Sequence, residues 1–423
     1  MARKKHLIIG SGSAGLSAAE EIRRTSVEDE IKLISAEDFS PYSPTALPHL
    51  LSGRIDEDRL PMRKDDYFDT IKATFLPGKV VTQVVPETKE VVYKDKQKET
   101  YDTLLIASGS KAMKADIKGL DKIDHLTFHT LGECRFLQQQ LLTKKEVAIY
   151  GGGLVAIEVA LALLEIGYPV KIIVRSRILR RYFDVEASEV IKRILTSKGA
   201  EVYEGHTIEE VEGNERRIAL SLSGGVNLGT EVLIIALGVV SKIPFLSDTD
   251  IKVNDGIVVD RRMRTNLDGI YAAGDVAEAP DFFTGKHSMN QILLSAVDEG
   301  RIAGSNMVGV DIEYEGWISS NIFNFFGNTA FSVGLSSVSG NGYEVFVAKD
   351  DKKAQFKKLI YEGEWLVGAV FINVDLDPGV ILYLIRNKVN IGDHKQVLFE
   401  QPKDIGRWLM LEKEKEGTAP IGG

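Results

Sequence analysis

One pattern constrains this chain more than any other: a short apolar strand, a glycine loop and a helix, occurring twice. His6 to Ile9 is an apolar run, Gly10-Ser11-Gly12-Ser13-Ala14-Gly15 follows, and Leu16 to Arg24 has helical composition. Ile31 to Ser35 reads as a second strand, ending just before Glu37. In such a unit the first glycine permits the tight turn and the second lets backbone N–H groups reach a pyrophosphate. The third packs helix on strand, and an acid roughly 20 residues on binds a ribose hydroxyl. A glycine loop alone is also a common structural turn; the strand before it, the helix after it and Glu37 favour dinucleotide binding.

The unit returns at Glu146 to Tyr150, with the loop Gly151-Gly152-Gly153-Leu154-Val155-Ala156 and a helix from Ile157 to Ile166 ended by Gly167. Ala156 takes the third glycine position. The next strand, Val170 to Val174, ends without an acid and runs into Arg175 and Arg177. A guanidinium there suits a ribose 2′-phosphate, whereas an acid repels it. The competing reading is that both arginines form a solvated turn.

Length and composition remove several alternatives. At roughly 150 residues per domain, 423 residues suggest about three domains. A formal charge of −9 opposes sequence-independent binding to nucleic acid or anionic membrane. The single cysteine, Cys134, forms no internal disulfide and no cysteine-ligated cluster or zinc site, and reads as an ordinary core residue. The longest apolar run, Val232 to Val240, has nine residues, far short of a membrane span. The start of the chain superficially mimics a signal peptide, but three glycines interrupt its apolar region and cleavage would remove the first phosphate loop. A cytoplasmic location is expected.

Between the loops, Val80 to Val84 and Lys89 to Lys94 read as a hairpin, and Tyr101 to Ala107 as a buried strand ending at Ser108-Gly109. Glu231 to Leu237, ending at Gly238, holds the equivalent place in the second unit. Gly256 to Asp260 is a short strand, and residues 286 to 308 look helical. Beyond about 312 the chain is strand-rich from Phe331 through Leu359 to Ile372, with helices expected at 378 to 388 and 402 to 413. Glu412 to Gly423 is expected to fray.

These motifs resemble those of the pyridine nucleotide-disulfide reductase superfamily, flavoproteins with two dinucleotide-binding domains. The resemblance covers nearly all of residues 1 to 312 through four motifs in order: Gly10, Gly12 and Gly15; Tyr101 to Gly109; Gly151 to Ala156 with Glu158; and Gly274-Asp275. It implies an α/β fold with two Rossmann-like dinucleotide-binding domains, for FAD and NAD(P), plus a C-terminal α+β interface domain. The expected FAD domain is residues 1–112 with 246–312, the NAD(P) domain 113–245 and the interface domain 313–423. The last resembles the family more weakly and would serve a homodimer or hetero-oligomer. FAD would be held by Gly10, Gly12, Ser13, Ala14, Gly15, Glu37, the backbone of Val81 at the adenine, Ala107, Ser108, Gly109, Gly274 and Asp275. NAD(P)(H) would be held by Gly151, Gly153, Leu154, Val155, Arg175 and Gly238, with Glu158 near the nicotinamide.

The departure lies in Pro41-Tyr-Ser-Pro-Thr45-Ala-Leu-Pro48-His49. It is similar to the segment where coenzyme A-disulfide reductases and NADH oxidases or peroxidases place a redox cysteine; here that position is Thr45. A hydroxyl forms neither a sulfenate nor a mixed disulfide. Pro44 stands where the family often has arginine, and His49 either faces the flavin or is a satisfied histidine beneath the loop. The reading that follows is an NAD(P)H oxidoreductase that exchanges hydride with NAD(P)(H) and single electrons with a separate iron–sulfur protein or subunit. It resembles the FAD subunits that link multisubunit phenylglyoxylate dehydrogenases or tungsten aldehyde oxidoreductases to NAD. The alternatives are a rubredoxin- or ferredoxin-reductase-like enzyme, a non-catalytic nucleotide-sensing flavoprotein, and direct oxidation of a small substrate at the flavin.

Overall fold

In the computed structural model, which describes residues 3–214 and 216–415, the expected strands pair in parallel around the first glycine loop. The chain begins β1 (Lys5–Ile9), α1 (Ser13–Thr25), β2 (Glu30–Ile34) and β3 (Ala73–Leu76). It continues through a small antiparallel sheet of β4 (Val81–Val85), β5 (Glu90–Tyr93) and β6 (Lys98–Thr100), and enters β7 (Thr103–Ile106). After α2 (Leu131–Leu141) come β8 (Val147–Tyr150), α3 (Leu154–Glu165), β9 (Val170–Val174), α4 (Val185–Ser197) and β10 (Ala200–Glu204). Next are β11 (Ile270–Ala272), α5 (Leu293–Met307), β12 (Ser320–Phe325), β13 (Asn328–Gly334), β14 (Tyr343–Asp350), β15 (Gln355–Glu362) and β16 (Trp365–Ile372). Helices α6 (Pro378–Arg386), α7 (Lys395–Glu400) and α8 (Ile405–Lys415) complete the described chain.

The chain divides into two compact units. The first holds Met1–Val147, Glu210–Leu220 and Leu228–Trp317. Its five-stranded parallel sheet has the order β11-β7-β1-β2-β3. Strand β1 lies at the centre, its Ile9 opposite both Ile34 and Ile106, so the strand order reverses there. Such a switch point, beyond the carboxyl ends of the strands, is where this architecture binds ligands. The strands are apolar on both faces, with Leu7, Ile8, Leu33, Leu104, Leu105 and Ile106 fully buried, as expected where helices cover a parallel sheet.

Helices α1 and α5 approach at glycine. A Cβ on Gly300 would sit 2.2 Å from the Ala14 carbonyl oxygen, and one on Gly304 would sit 2.6 Å from that of Ala18. Next to Gly304, the Ser305 hydroxyl donates to buried Glu21 (2.8 Å). The expected helix over 286–308 begins later than its composition suggests. His287–Met289 instead forms a strand antiparallel to Ala277–Pro280, because backbone pairing there outweighs local propensity.

The second unit holds Ala148–Glu209, Ser221–Asn227 and Ile318–Gly423. Strands β8, β9 and β10 lie side by side, β9 and β10 in parallel. Its other sheet is antiparallel, with the order β12-β13-β16-β15-β14. Helix α4 is tied to it: Phe183 meets Phe323 edge-on at 5.8 Å, and Asp184 pairs with Lys358 at 2.7 Å. The six-residue α7 escaped sequence reading, being too short for a helical period to register. The expected 402–413 helix is a single-turn 3-10 segment, Pro402–Asp404, leading into α8; residues 416–423 lie outside the described residues. Among the described residues no helix is long and apolar enough to cross a membrane.

Gly300→Val drives a branched side chain into the Ala14 backbone. It is expected to cost about 1–3 kcal/mol of stability, as overpacking does, measured as a lower midpoint in denaturant unfolding.

Candidate functional site

The first glycine loop is shaped by backbone contacts. Gly10 has φ +114°, donates its N–H to Ile34 O (2.8 Å), and a Cβ there would lie 2.0 Å from Ala107 O. Gly15 is equally constrained, with Gly10 O at 2.0 Å from its Cβ position. Gly12 differs: it is exposed, caps α1, and has nothing within 4 Å of where a Cβ would stand. Ser13 and Ala14 follow in the first turn of α1, and no side chain caps that helix.

Capping separates two sets of helices. Thr130 and Glu133 form a capping box on α2, Asp184 caps α4 and Asp377 caps α6. Helices α1, α3 and α5, and the six-residue α7, have no side-chain cap and no acid in the first turn. Uncapped N–H groups at a helix start carry a partial positive charge and bind anions.

Beside the first loop lie the remaining residues implied for FAD. Exposed Glu37 accepts a hydrogen bond from Tyr42 Oη (2.7 Å), which in turn accepts one from the Leu131 N–H (2.9 Å). Val81 opens β4 opposite Tyr93, with a register shift just after it. Ala107 donates to Ile9 O, Ser108 Oγ donates to Lys242 O (2.8 Å), and Gly109 turns with φ +71°. Gly274 has φ +78°, and its Cβ position is 3.0 Å from the Ala14 side chain, so the two motifs meet. Asp275 accepts the Ser110 hydroxyl (2.8 Å), and burial raises its carboxyl above the ordinary range. His129 Nε2 lies 3.0 Å from Ser110 O.

Sequence reading missed Ser110, Tyr42 and above all Glu299. The last is 2% exposed on α5 and accepts the Gly274 N–H at 2.7 Å. Its one sequence signal is the small-residue spacing of Ala296, Gly300 and Gly304, which marks the α5 face that packs closely.

In the second unit, Gly151 has φ +148° and donates to Ile173 O (2.9 Å). Gly152 is fixed by Val174, 2.5 Å from its Cβ position, while Gly153 is open and exposed like Gly12. Leu154 and Val155 begin α3, and Ala156 is fully buried. Glu158 is half-buried on α3 without a hydrogen bond among the described residues, and burial pushes its carboxyl up to about 7.

The two arginines separate. Arg177 donates to Ser188 Oγ and to the carbonyls of Ile178 and Arg180, tying the loop to α4. Arg175 is exposed and makes no hydrogen bond or ion pair among the described residues. Gly238 falls in the first unit, where its carbonyl accepts the Met113 N–H (2.9 Å).

Thr45 is exposed and shares a 2.8 Å hydrogen bond with Ser43. His49 is also exposed, on the short helix Leu47–Leu51, with its Nδ1 3.5 Å from Arg54 Nη1. Cys134 is fully buried on α2 with Sγ 3.7 Å from Leu47 O, and burial pushes its thiol up to about 12. That thiol stays protonated and is a poor nucleophile.

A parallel-sheet fold with two glycine loops, each opening an uncapped helix, defines a two-dinucleotide-binding oxidoreductase. Residues 4–300 match the model of the family described as pyridine nucleotide-disulphide oxidoreductase, and the chain belongs to that family. It is 30% identical over 412 residues to the epsilon subunit of the NADH-dependent phenylglyoxylate dehydrogenase of Aromatoleum evansii, across 96% of this chain and 97% of that subunit. It is 30% identical over 335 residues to the NADH-rubredoxin oxidoreductase of Clostridium acetobutylicum, across 79% and 82% of the two chains. A ferredoxin reductase from Rhodopseudomonas palustris shares the fold, with TM-score 0.86 and 20% identity over 96% of this chain and all of that one.

Two glycines offer a paired test. Gly12→Val has space in the protein alone, so it is expected to keep wild-type apoprotein stability and to lose flavin from the purified chain. Gly15→Val clashes with Gly10 O and is expected to lower the melting temperature with or without flavin. For the coenzyme, Arg175→Glu is expected to weaken NADPH relative to NADH by about 1–3 kcal/mol, the scale of one charge-assisted contact. The ratio of kcat/KM values measures it, and an unchanged ratio returns Arg175 to a solvated turn.

Proposed function

We propose that this protein is an FAD-dependent NAD(P)H:acceptor oxidoreductase that passes electrons to an iron–sulfur protein or subunit without a thiol relay. The observation that carries this reading is the pair Thr45 and Cys134. The position that resembles a redox-cysteine site bears a hydroxyl, and the one thiol of the chain is buried and held protonated. Among the relatives above are a subunit of an NADH-dependent dehydrogenase and an NADH-rubredoxin oxidoreductase, and both names support the reading.

The first loop fits FAD: the space at Gly12 and the uncapped start of α1 leave N–H groups for a pyrophosphate. Gly10, Gly12, Ser13, Ala14 and Gly15 would hold the phosphates, Glu37 a ribose, and Val81 the adenine. Ala107, Ser108, Gly109, Gly274 and Asp275 would hold the remainder. The space at Gly153 and the uncapped start of α3 fit the second nucleotide in the same way, with Gly151, Leu154 and Val155 beside it and Arg175 at its ribose. In domain terms, residues 1–112 and 246–312 would bind FAD, 113–245 NAD(P)(H), and 313–423 would form the interface with another subunit.

When bound, FAD supplies two-electron exchange with a nicotinamide and one-electron exchange with an iron–sulfur centre. The chain's own groups bind and orient. Ser110 fixes the Asp275 carboxylate by donating to it, and Tyr42 holds Glu37 at the loop. Glu158, titrating near neutrality, would hold or release a proton beside the nicotinamide. Cys134 takes no part.

The purified chain is expected to reduce viologens or ferricyanide with NAD(P)H while turning over coenzyme A disulfide, glutathione disulfide and peroxide negligibly. Alkylating reagent at pH 8 should leave native Cys134 unmodified and the activity intact. Efficient turnover of a disulfide or peroxide, or activity lost on alkylation with flavin retained, contradicts the reading.

A further inference from the structure

A carboxyl group sits where the two FAD motifs of the first unit converge. Glu299 is 2% exposed, and its Oε2 accepts the Gly274 N–H at 2.7 Å. The Gly274 Cβ position lies 3.0 Å from the Ala14 side chain and 3.6 Å from Ala296, so glycine loop, Gly274–Asp275 turn and α5 share one junction. Two acids raise the electrostatic cost of ionising Glu299: Asp275 on the turn and Asp298, the preceding residue of α5. From α1 the junction receives Ala14 and Ala18, which pack against Gly300 and Gly304. The first ionisable side chain of α1 to reach α5 is Glu21, bonded to Ser305 and paired with Arg24. No cation among the described residues neutralises Glu299.

We infer that Glu299 is a positioning residue whose protonation is coupled to FAD binding, so that the chain takes up a proton at Glu299 as the cofactor's pyrophosphate enters the adjoining loop. The inference rests on the assignment of Gly10–Gly15 and Gly274–Asp275 to FAD. With Oε2 accepting from Gly274, Oε1 carries the proton. A buried carboxylate with one N–H donor and two acidic neighbours is costly, and burial pushes this carboxyl up to about 8. Two further negative charges at Ala14 oppose ionisation again, and by reciprocity ionisation opposes them. The sign follows: with a folded-state value above the ordinary 4.5, the neutral form is favoured at low pH, and its contribution is lost as pH rises through about 8.

The test is FAD affinity of the full chain, freed of flavin and titrated by fluorescence between pH 6.5 and 9.5. The wild-type Kd should rise about tenfold per pH unit above the titration. Glu299→Gln, which keeps an oxygen for the Gly274 N–H and cannot ionise, should bind FAD with little pH dependence. In weakly buffered solution near pH 9, the wild type should take up about one proton per FAD and the Gln variant none. A flat wild-type profile, or the same slope and uptake in the Gln variant, overturns the inference while leaving the FAD assignment intact. Failure to bind FAD at any pH overturns both.

Discussion

The site depends on how closely the backbones of α1 and α5 approach. With Gly300 under the Ala14 carbonyl and Gly304 under that of Ala18, no side chain larger than hydrogen fits at either position. This contact draws residues nearly three hundred positions apart in sequence to one junction. It also sets Glu299 behind Gly274, whose N–H needs a partner because the turn at φ +78° removes it from the sheet. The parallel sheet supplies the floor, and the helix pair aligns the two motifs on it.

The absence of usable thiol chemistry gives the site its character. A redox cysteine works as a thiolate exposed to its partner. Here the corresponding position offers an exposed threonine engaged by Ser43, and Cys134 lies under the same segment with its sulfur against Leu47 O. The two are not equivalent: one is accessible and cannot be oxidised to a sulfenate, the other is inaccessible and protonated. The short helix Leu47–Leu51 is also held by Gln138 donating to Leu50 O, so this segment packs on α2 as a structural wall.

What was legible in the sequence was whatever repeats or demands glycine. The two strand–loop–helix units, their order and the Gly274–Asp275 turn could be read because few residues satisfy a φ of +114° or a carbonyl 2.0 Å from a Cβ position. In the sequence alone, Arg175 and Arg177 are interchangeable. Only folding divides them, since Ser188 arrives from a helix eleven residues away to bind one and not the other. Ser110 and His129 carry no local signal, and Glu299 only the small-residue spacing around it, because their roles arise from contacts between distant segments: 25 residues separate Glu299 from Gly274, and 165 separate Ser110 from Asp275. The start of α5 was misplaced because His287–Met289 has no strand character of its own and gains it from Ala277–Pro280.

The central claim, that the flavin is the chain's only redox group, is tested most directly by counting electrons. In an anaerobic titration of the flavin-loaded protein with NADH, followed by flavin absorbance, full reduction should require about one NADH per chain, the capacity of a flavin alone. A requirement for about two, with a lag before the flavin bleaches or a newly reactive thiol at the end, would show a second two-electron centre such as an oxidised cysteine and contradict the account.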